Sequence, residues 1–274
     1  MRRTFDLLLA VAVGIVLAFL LLPVTALFLR LPPGTLLDQL ASDVALDALR
    51  VTLETGLVAH ALVLLLGTPA AYFLGTRRFR GRGLVVTAIE LPLVLPPAVA
   101  GIALLTLFGR RGLLGGAVGA AGLEIAFTQI AVVLAVAFVA APFYLRQAIA
   151  AFEGVDRTLL DASRSLGASP GRTFARVALP LARGGLGAGS ALAWARGTGE
   201  FGATIMFAGS FQGETQTLPL AIYAQLDSDR TVAIAIGALL VLTSLTVLLS
   251  VKLLPSWTRF TSPSHIPSAR TASR

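Results

Sequence analysis

Arg196 and Glu200 stand four residues apart in an apolar, glycine-rich run, and no other charged pair in the chain is placed so suggestively. On a helix that spacing puts both on one face, where they can neutralise each other. Two roles are open to them. The pair can be an ion bridge that fixes packing, or Arg196 can lend positive potential to a passing dianion while Glu200 holds the guanidinium in place. Thr204 and Ser210 could donate hydrogen bonds to the same anion, although helix hydroxyls also commonly bond their own backbone. Catalysis has no comparable footing. The chain has no Cys and two His, and His60 and His265 are too isolated to build a metal cage or an acid/base pair. His60 reads as a packing histidine, with Glu54 on a different helix face. Glu90, inside another apolar run, is either neutral or paired with Arg82. No G-x-x-x-x-G-K-[ST] loop is present, so the chain lacks that chemistry for hydrolysing ATP. It reads as a conduit rather than an enzyme, with no cofactor or metal of its own.

The elements around these residues must lie in a membrane. Of 274 residues 56% are hydrophobic and 13% charged, whereas soluble domains carry about 25% charged. A soluble enzyme and a disordered scaffold are both excluded. The net charge of +8 sits between apolar runs, where it signals topology rather than nucleic acid. Six spans are expected, at about 7–29, 51–75, 84–108, 127–151, 184–207 and 231–254, in an all-α polytopic fold. The first is too long for a cleaved signal peptide. Sixteen Lys and Arg then fall on the side of the amino terminus and five on the other, which places both termini in the cytoplasm by the positive-inside rule. One domain is expected over 1–260, followed by a disordered or membrane-skimming tail over 261–274. Pro92, Pro96 and Pro97 predict a bent third span, either a pore-lining element or a static kink. The seven glycines from Gly184 to Gly202 predict that the fifth span packs inside the bundle.

Between the fourth and fifth spans, the loop 153–183 carries helix punctuation. Asp156 can cap a helix through Leu159, Leu160, Ala162 and Leu166, ended by Gly167. Ser169 and Pro170 then open a second short helix through Phe174 and Val177, which Pro180 is expected to stop. Leu159, Leu160, Leu166, Phe174 and Val177 need either the bundle or a partner to cover them. Otherwise the element lies on lipid headgroups, with Arg157, Arg164, Arg172 and Arg176 facing phosphate.

Asp161-Ala162-Ser163, three residues, Gly167, nine residues and then Val177-Ala178-Leu179-Pro180 resembles the "EAA" loop of ATP-binding-cassette (ABC) importer permeases, E-A-A-x3-G-x9-I-x-L-P. Asp161, Ser163 and Val177 are mild departures from that pattern. The resemblance implies a coupling helix that docks on a separate ATPase subunit, carried by Leu159, Leu160, Asp161, Ala162, Ser163, Leu166, Gly167, Ala168 and Ser169. Leu91 to Pro97 with Gly101 to Leu105, Gly109 to Gly115, Gly199-Glu200-Phe201-Gly202-Ala203-Thr204 and Gly213 to Leu220 look like molybdate-type permeases, relatives of the sulfate and tungstate permeases. What the resemblance implies is a molybdate importer, with tungstate as a second anion and a sulfate permease as the alternative. Its parts would be a second permease copy, two ATPase subunits that bind ATP and Mg, an extracytoplasmic oxyanion-binding protein, and membrane lipid, without nucleic acid. Pro96, Pro97, Arg196, Glu200 and Thr204 are the candidate passage residues. A stand-alone secondary transporter or channel is the rival of another class.

Overall fold

In hydrocarbon, backbone groups are satisfied within helices, and in the computed structural model, which describes residues 2–253, every regular element is helical. In chain order these are α1 (Arg2–Leu29), α2 (Pro33–Leu40), α3 (Asp43–Thr76), α4 (Arg82–Val94), α5 (Pro97–Phe108), α6 (Gly115–Ala120), α7 (Gln129–Glu153), α8 (Arg157–Ser165) and α9 (Pro170–Thr173). A π-helical turn over Phe174–Ala178 follows, then α10 (Leu179–Thr198), α11 (Gly202–Ala208), α12 (Leu218–Gln225) and α13 (Arg230–Leu253). Among the described residues, α1, α3, α7 and α13 are long and apolar enough to cross a membrane, and each overlaps one expected span, α7 starting two residues later than expected. Residues 254–274, including the expected tail, lie outside the described residues.

The third expected span is not one helix. It breaks into α4 and α5, whose axes turn by 113°. Pro96 and Pro97 cause this in sequence: a residue before proline is pushed out of the α region. Leu95 and then Pro96 are accordingly extended, at ψ 133° and 136°, before Pro97 opens α5. The fifth expected span also divides, because α10 stops at Thr198 and α11 resumes at Gly202.

Pro180 does not stop the second loop helix. The helix passes from α9 through the π turn straight into α10, with Pro180 inside its first turn. A proline in a regular helix collides with the carbonyl four residues back. The wider π turn just before it accommodates the ring.

The bundle centres on α3, α7 and α10. Tyr144, Phe152, Ala178 and Ala182 lie in one buried cluster at the end carrying α8; Val132, Val136, Ala203 and Phe207 lie in a second around α5 and α11. Glycine brings α10 onto α7: a Cβ at Gly185 would lie 2.5 Å from Ala151 Cβ, and one at Gly189 would lie 2.9 Å from Gln147 Cβ. The glycine-rich helix thus packs within the bundle, as its composition predicts. By contrast, none of α1's membrane-length stretch is buried within the chain.

Candidate functional site

Glu200 sits in the gap between α10 and α11 and uses both carboxylate oxygens. Oε1 accepts from the Ala203 backbone N–H at 2.7 Å, satisfying a free donor at the start of α11. Oε2 meets Arg196 Nη2 at 2.7 Å, with the Glu200 side chain 1% exposed and that of Arg196 29% exposed. Arg196 also lies in the last turn of α10, where the carbonyl end of the helix favours a cation. The i, i+4 spacing therefore yields a real pair, and its carboxylate is a buried cap as well as a counter-ion. An anion approaching Arg196 would meet a guanidinium already partly neutralised and rigidly held.

The two broken spans touch at this place. A Cβ on Gly202 would lie 2.6 Å from Pro97 Cβ, and one on Gly101 would lie 2.5 Å from the Ala203 carbonyl oxygen. Only glycine permits that approach, so the start of α5 and the start of α11 are locked side by side. Thr204, in the same first turn of α11, is fully buried, and its Oγ1 has no hydrogen-bond partner. The structure therefore brings Pro97, Arg196, Glu200 and Thr204 into one neighbourhood, with Pro96 as the extended residue before α5. Ser210 is occupied elsewhere: its Oγ accepts from Gln216 Nε2 at 3.1 Å.

Other charges find partners that spacing did not reveal. Glu90 pairs with Arg146 at 3.6 Å, not with Arg82, which is ion-paired with Glu153. His60 Nε2 lies 2.8 Å from Ser190 Oγ and its ring stands edge-on to Trp194, so it is the satisfied packing histidine expected. Thr52 Oγ1 accepts from the Leu218 backbone N–H at 2.8 Å, anchoring the stretch after Gly213 to α3. Nothing in residue type or spacing announces that link, since Thr52 also donates to its own helix at the Ala48 carbonyl.

At the other end of α10, the loop helices form a compact knuckle. Asp156 accepts from the Thr158 N–H at 2.9 Å, which holds its carboxyl below the usual carboxylate range. Gly167 takes φ +81° past the end of α8, and Ser169 accepts from the Arg172 N–H at 3.3 Å to open α9. Leu160 is buried among Phe152, Val155 and Ala178, while Ser163 Oγ lies 3.1 Å from Thr173 Oγ1. These two residues tie α8 to its own bundle. Leu159 at 48% and Leu166 at 89% exposure point outward, as do Asp161, Ala162, Gly167 and Ser169. Asp161 is bridged to Arg164 at 3.1 Å, and Ala168 is half-buried.

Residues 67–259 match the family described as "Binding-protein-dependent transport system inner membrane component". The chain is 42% identical over 241 residues to the molybdenum transport system permease protein ModB of Mycobacterium bovis, covering 86% of this chain and 89% of that one. It is 35% identical over 242 residues to the sulfate transport system permease protein CysT of Synechococcus elongatus, covering 87% of each. In fold it is similar to a chain of a bacterial alginate ABC transporter solved with its periplasmic protein, at a TM-score of 0.71 and 15% identity over 91% of this chain and 93% of that one. Broken helices meeting at a buried ion pair, an outward-facing knuckle and these likenesses converge: the chain belongs to the family of inner-membrane components of binding-protein-dependent transport systems, as an ABC importer permease subunit.

Proposed function

We propose that the chain carries molybdate, with tungstate as a second anion, across the cell membrane by alternating access. It works as a homodimer with two ATPase subunits, which bind ATP and Mg, and with an extracytoplasmic oxyanion-binding protein that delivers the load. Both termini face the cytoplasm, and residues 1–260 form the permease domain. The observation that carries the mechanism is the continuous helix from Pro170 to Thr198. One end of it holds the knuckle through Leu160 and Ser163; the other ends at Arg196 and Glu200. Leu159, Leu166 and the turn over Gly167, Ala168 and Ser169 offer the ATPase its grip, with Asp161 and Ala162 beside them. When the ATPases close, the paired knuckles approach, and the tilt of α10 shifts α11 and α5 together. The passage beside Pro96, Pro97, Arg196 and Thr204 then opens outward. Weak attraction suits a pore, since an ion held tightly does not leave. A partly neutralised Arg196 fits that requirement, and affinity resides in the binding protein.

The relatives named for molybdenum support molybdate, and the sulfate permeases at lower identity support sulfate as the second reading. Proteoliposomes with permease, ATPase and binding protein separate these. Labelled molybdate uptake that requires ATP and withstands excess sulfate is the expected result. Competition by equimolar sulfate would favour the second reading, and uptake that persists without ATPase under an ion gradient would reject an ATP-driven importer.

A further inference from the structure

A cavity of about 560 Å³ lies where α3 ends and α7 gives way to α8, and Arg77, Arg78, Phe79, Arg82, Glu153 and Arg157 line it. Its single carboxylate is taken: Glu153 is ion-paired with Arg82, whose Nε also donates to the Leu74 carbonyl at 2.7 Å. Arg77, Arg78 and Arg157 have no carboxylate partner among the described residues. Arg77 lies over the Phe73 ring at 5.4 Å. Three unneutralised guanidinium groups in one bowl repel each other, and an anion placed among them relieves that repulsion.

The surroundings identify the anion. A second cavity of about 300 Å³ shares Arg82 and Glu153 and follows the groove between α4 and α7, past Val86, Ile89 and Ile149 to the Glu90–Arg146 ion pair. No residue of α4 is buried within the chain, and Leu84 is 78% exposed. A polar bowl at the end of a span therefore adjoins a groove whose wall is Val86, Ile89 and Ile149 and whose own charges are paired with one another, matching a molecule with a charged head and a hydrocarbon chain. Basic pockets between helices at a membrane surface suit anionic headgroups, whereas an acidic loop of a soluble partner could fill the bowl but not the groove.

We propose that Arg77, Arg78 and Arg157 hold the phosphate of an anionic phospholipid whose acyl chain lies against Val86 and Ile89. Arg157 is the first residue of α8, so an occupied site braces the base of the knuckle. The site depends on membrane embedding alone, not on which anion is carried or on ATPase docking.

The test is native mass spectrometry of the purified full-length protein titrated with dioleoylphosphatidylglycerol, dioleoylphosphatidylcholine or soluble glycerol 3-phosphate. The wild type is expected to retain phosphatidylglycerol over phosphatidylcholine and to ignore glycerol 3-phosphate. At about five-fold per arginine, the triple change Arg77→Gln, Arg78→Gln and Arg157→Gln lowers phosphatidylglycerol affinity on the order of 100-fold. The control triple Arg80→Gln, Arg172→Gln and Arg176→Gln removes equal charge outside the cavity and leaves it within about five-fold. Should the first triple not fold, Arg78→Gln alone is expected to cost about five-fold while Arg80→Gln alone costs less than about two-fold. Equal losses in the two triples, equal retention of the two lipids, or glycerol 3-phosphate binding as well as the lipid would overturn the proposal. So would a cavity variant that loses ATPase binding with its phosphatidylglycerol affinity intact.

Discussion

Replacing Glu200 separates its two roles. In Glu200→Gln the side-chain oxygen can still accept from the Ala203 N–H, now at 2.7 Å, but the charge opposite Arg196 is gone. Breaking a fully buried ion pair costs about 3–5 kcal/mol. Arg196 is 29% exposed, so water can reach the orphaned guanidinium, and about 2 kcal/mol is the better figure. Glu200→Ala also loses the cap, for about 1 kcal/mol more. At about 2–4 °C per kcal/mol for a chain of this size, the apparent unfolding midpoint falls by about 4–8 °C for Gln and about 6–12 °C for Ala. The measurement is thermal unfolding of the purified complex in nanodiscs, paired with ATP-dependent uptake. Arg196→Met in the Glu200→Gln background should cost less than the sum of the single changes by about 2 kcal/mol, since each removes the same interaction. If Arg196 also serves the anion, uptake in that double variant stays below that of Glu200→Gln at temperatures where both proteins remain folded. A Glu200→Gln protein within about 0.5 kcal/mol of wild type, with uptake intact, would refute the ion pair's share of that role, and an equally tolerant Glu200→Ala would refute Glu200 as the clasp of α11.

The knuckle should divide cleanly under mutation: Leu166→Asp abolishes ATPase co-purification without lowering the midpoint, whereas Leu160→Ala costs about 2–3 kcal/mol of stability because Leu160 is 3% exposed. Gly167→Pro forces a residue with φ near −65° into a site at φ +81°, and loss of ATPase binding from an otherwise folded bundle is the result to look for in a pull-down. Gly101→Val drives a side chain into the Ala203 carbonyl and Met206; uptake should fall while ATPase binding survives, and intact uptake would show that α5 and α11 move independently. The Asp156 carboxyl is lowered by the Thr158 N–H, so its capping contribution is complete above the unfolded-state value and disappears as pH falls through the lower folded value. The protection factors of the Thr158 and Leu159 amides, which remove the intrinsic pH dependence of exchange, should fall over that acidic window in the wild type and show no such transition in Asp156→Asn.

The knuckle was legible because its instructions are local. Asp156, Gly167, Ser169 and Pro170 each act on backbone within a turn, and each does what its type predicts. The break at Pro96 and Pro97 was legible in kind but not in size. Proline excludes Leu95 and Pro96 from the helix, yet the 113° turn depends on where α5 finds a surface, and that surface is Ala203 against Gly101. Pro180 misled for a related reason: its stop rule presumes a regular helix behind it, and the π turn over Phe174–Ala178 removes that premise. For Glu90, read as either neutral or paired with Arg82, the near cation in sequence is not the partner, because α7 packs beside α4 and brings Arg146 instead. The buried oxygen of Thr204 and its lack of a partner are products of packing that no spacing rule contains.

A coupling route must be stiff where it transmits and compliant where it acts, and the residues distribute those properties in that order. From Pro170 to Thr198 the chain is helical without interruption for 29 residues, about 40 Å at 1.5 Å per residue. The knuckle cannot move without it, because Leu160 is buried beside Ala178 and Ser163 is bonded to Thr173. Along its length Gly185 and Gly189 seat α10 closely against Ala151 and Gln147 of α7; in the proposed cycle α10 rocks in that contact, and withdrawal is resisted by packing. At the far end Glu200 ties α10 to α11 through Arg196 and Ala203, so in the proposed cycle tilt becomes displacement of α11. Past that point the compliance begins. The Leu95-Pro96 link has no helical hydrogen-bond ladder to break when its angle changes, and Gly202 rests on Pro97 at a distance where any shift is felt. A ligand-driven change at the knuckle can alter the passage only if the two states differ in free energy there. Under the proposed alternating access α5 and α11 shift as one unit, so that difference falls on the Leu95-Pro96 link and on what the unit packs against in the bundle, with α10 carrying the motion as a rod.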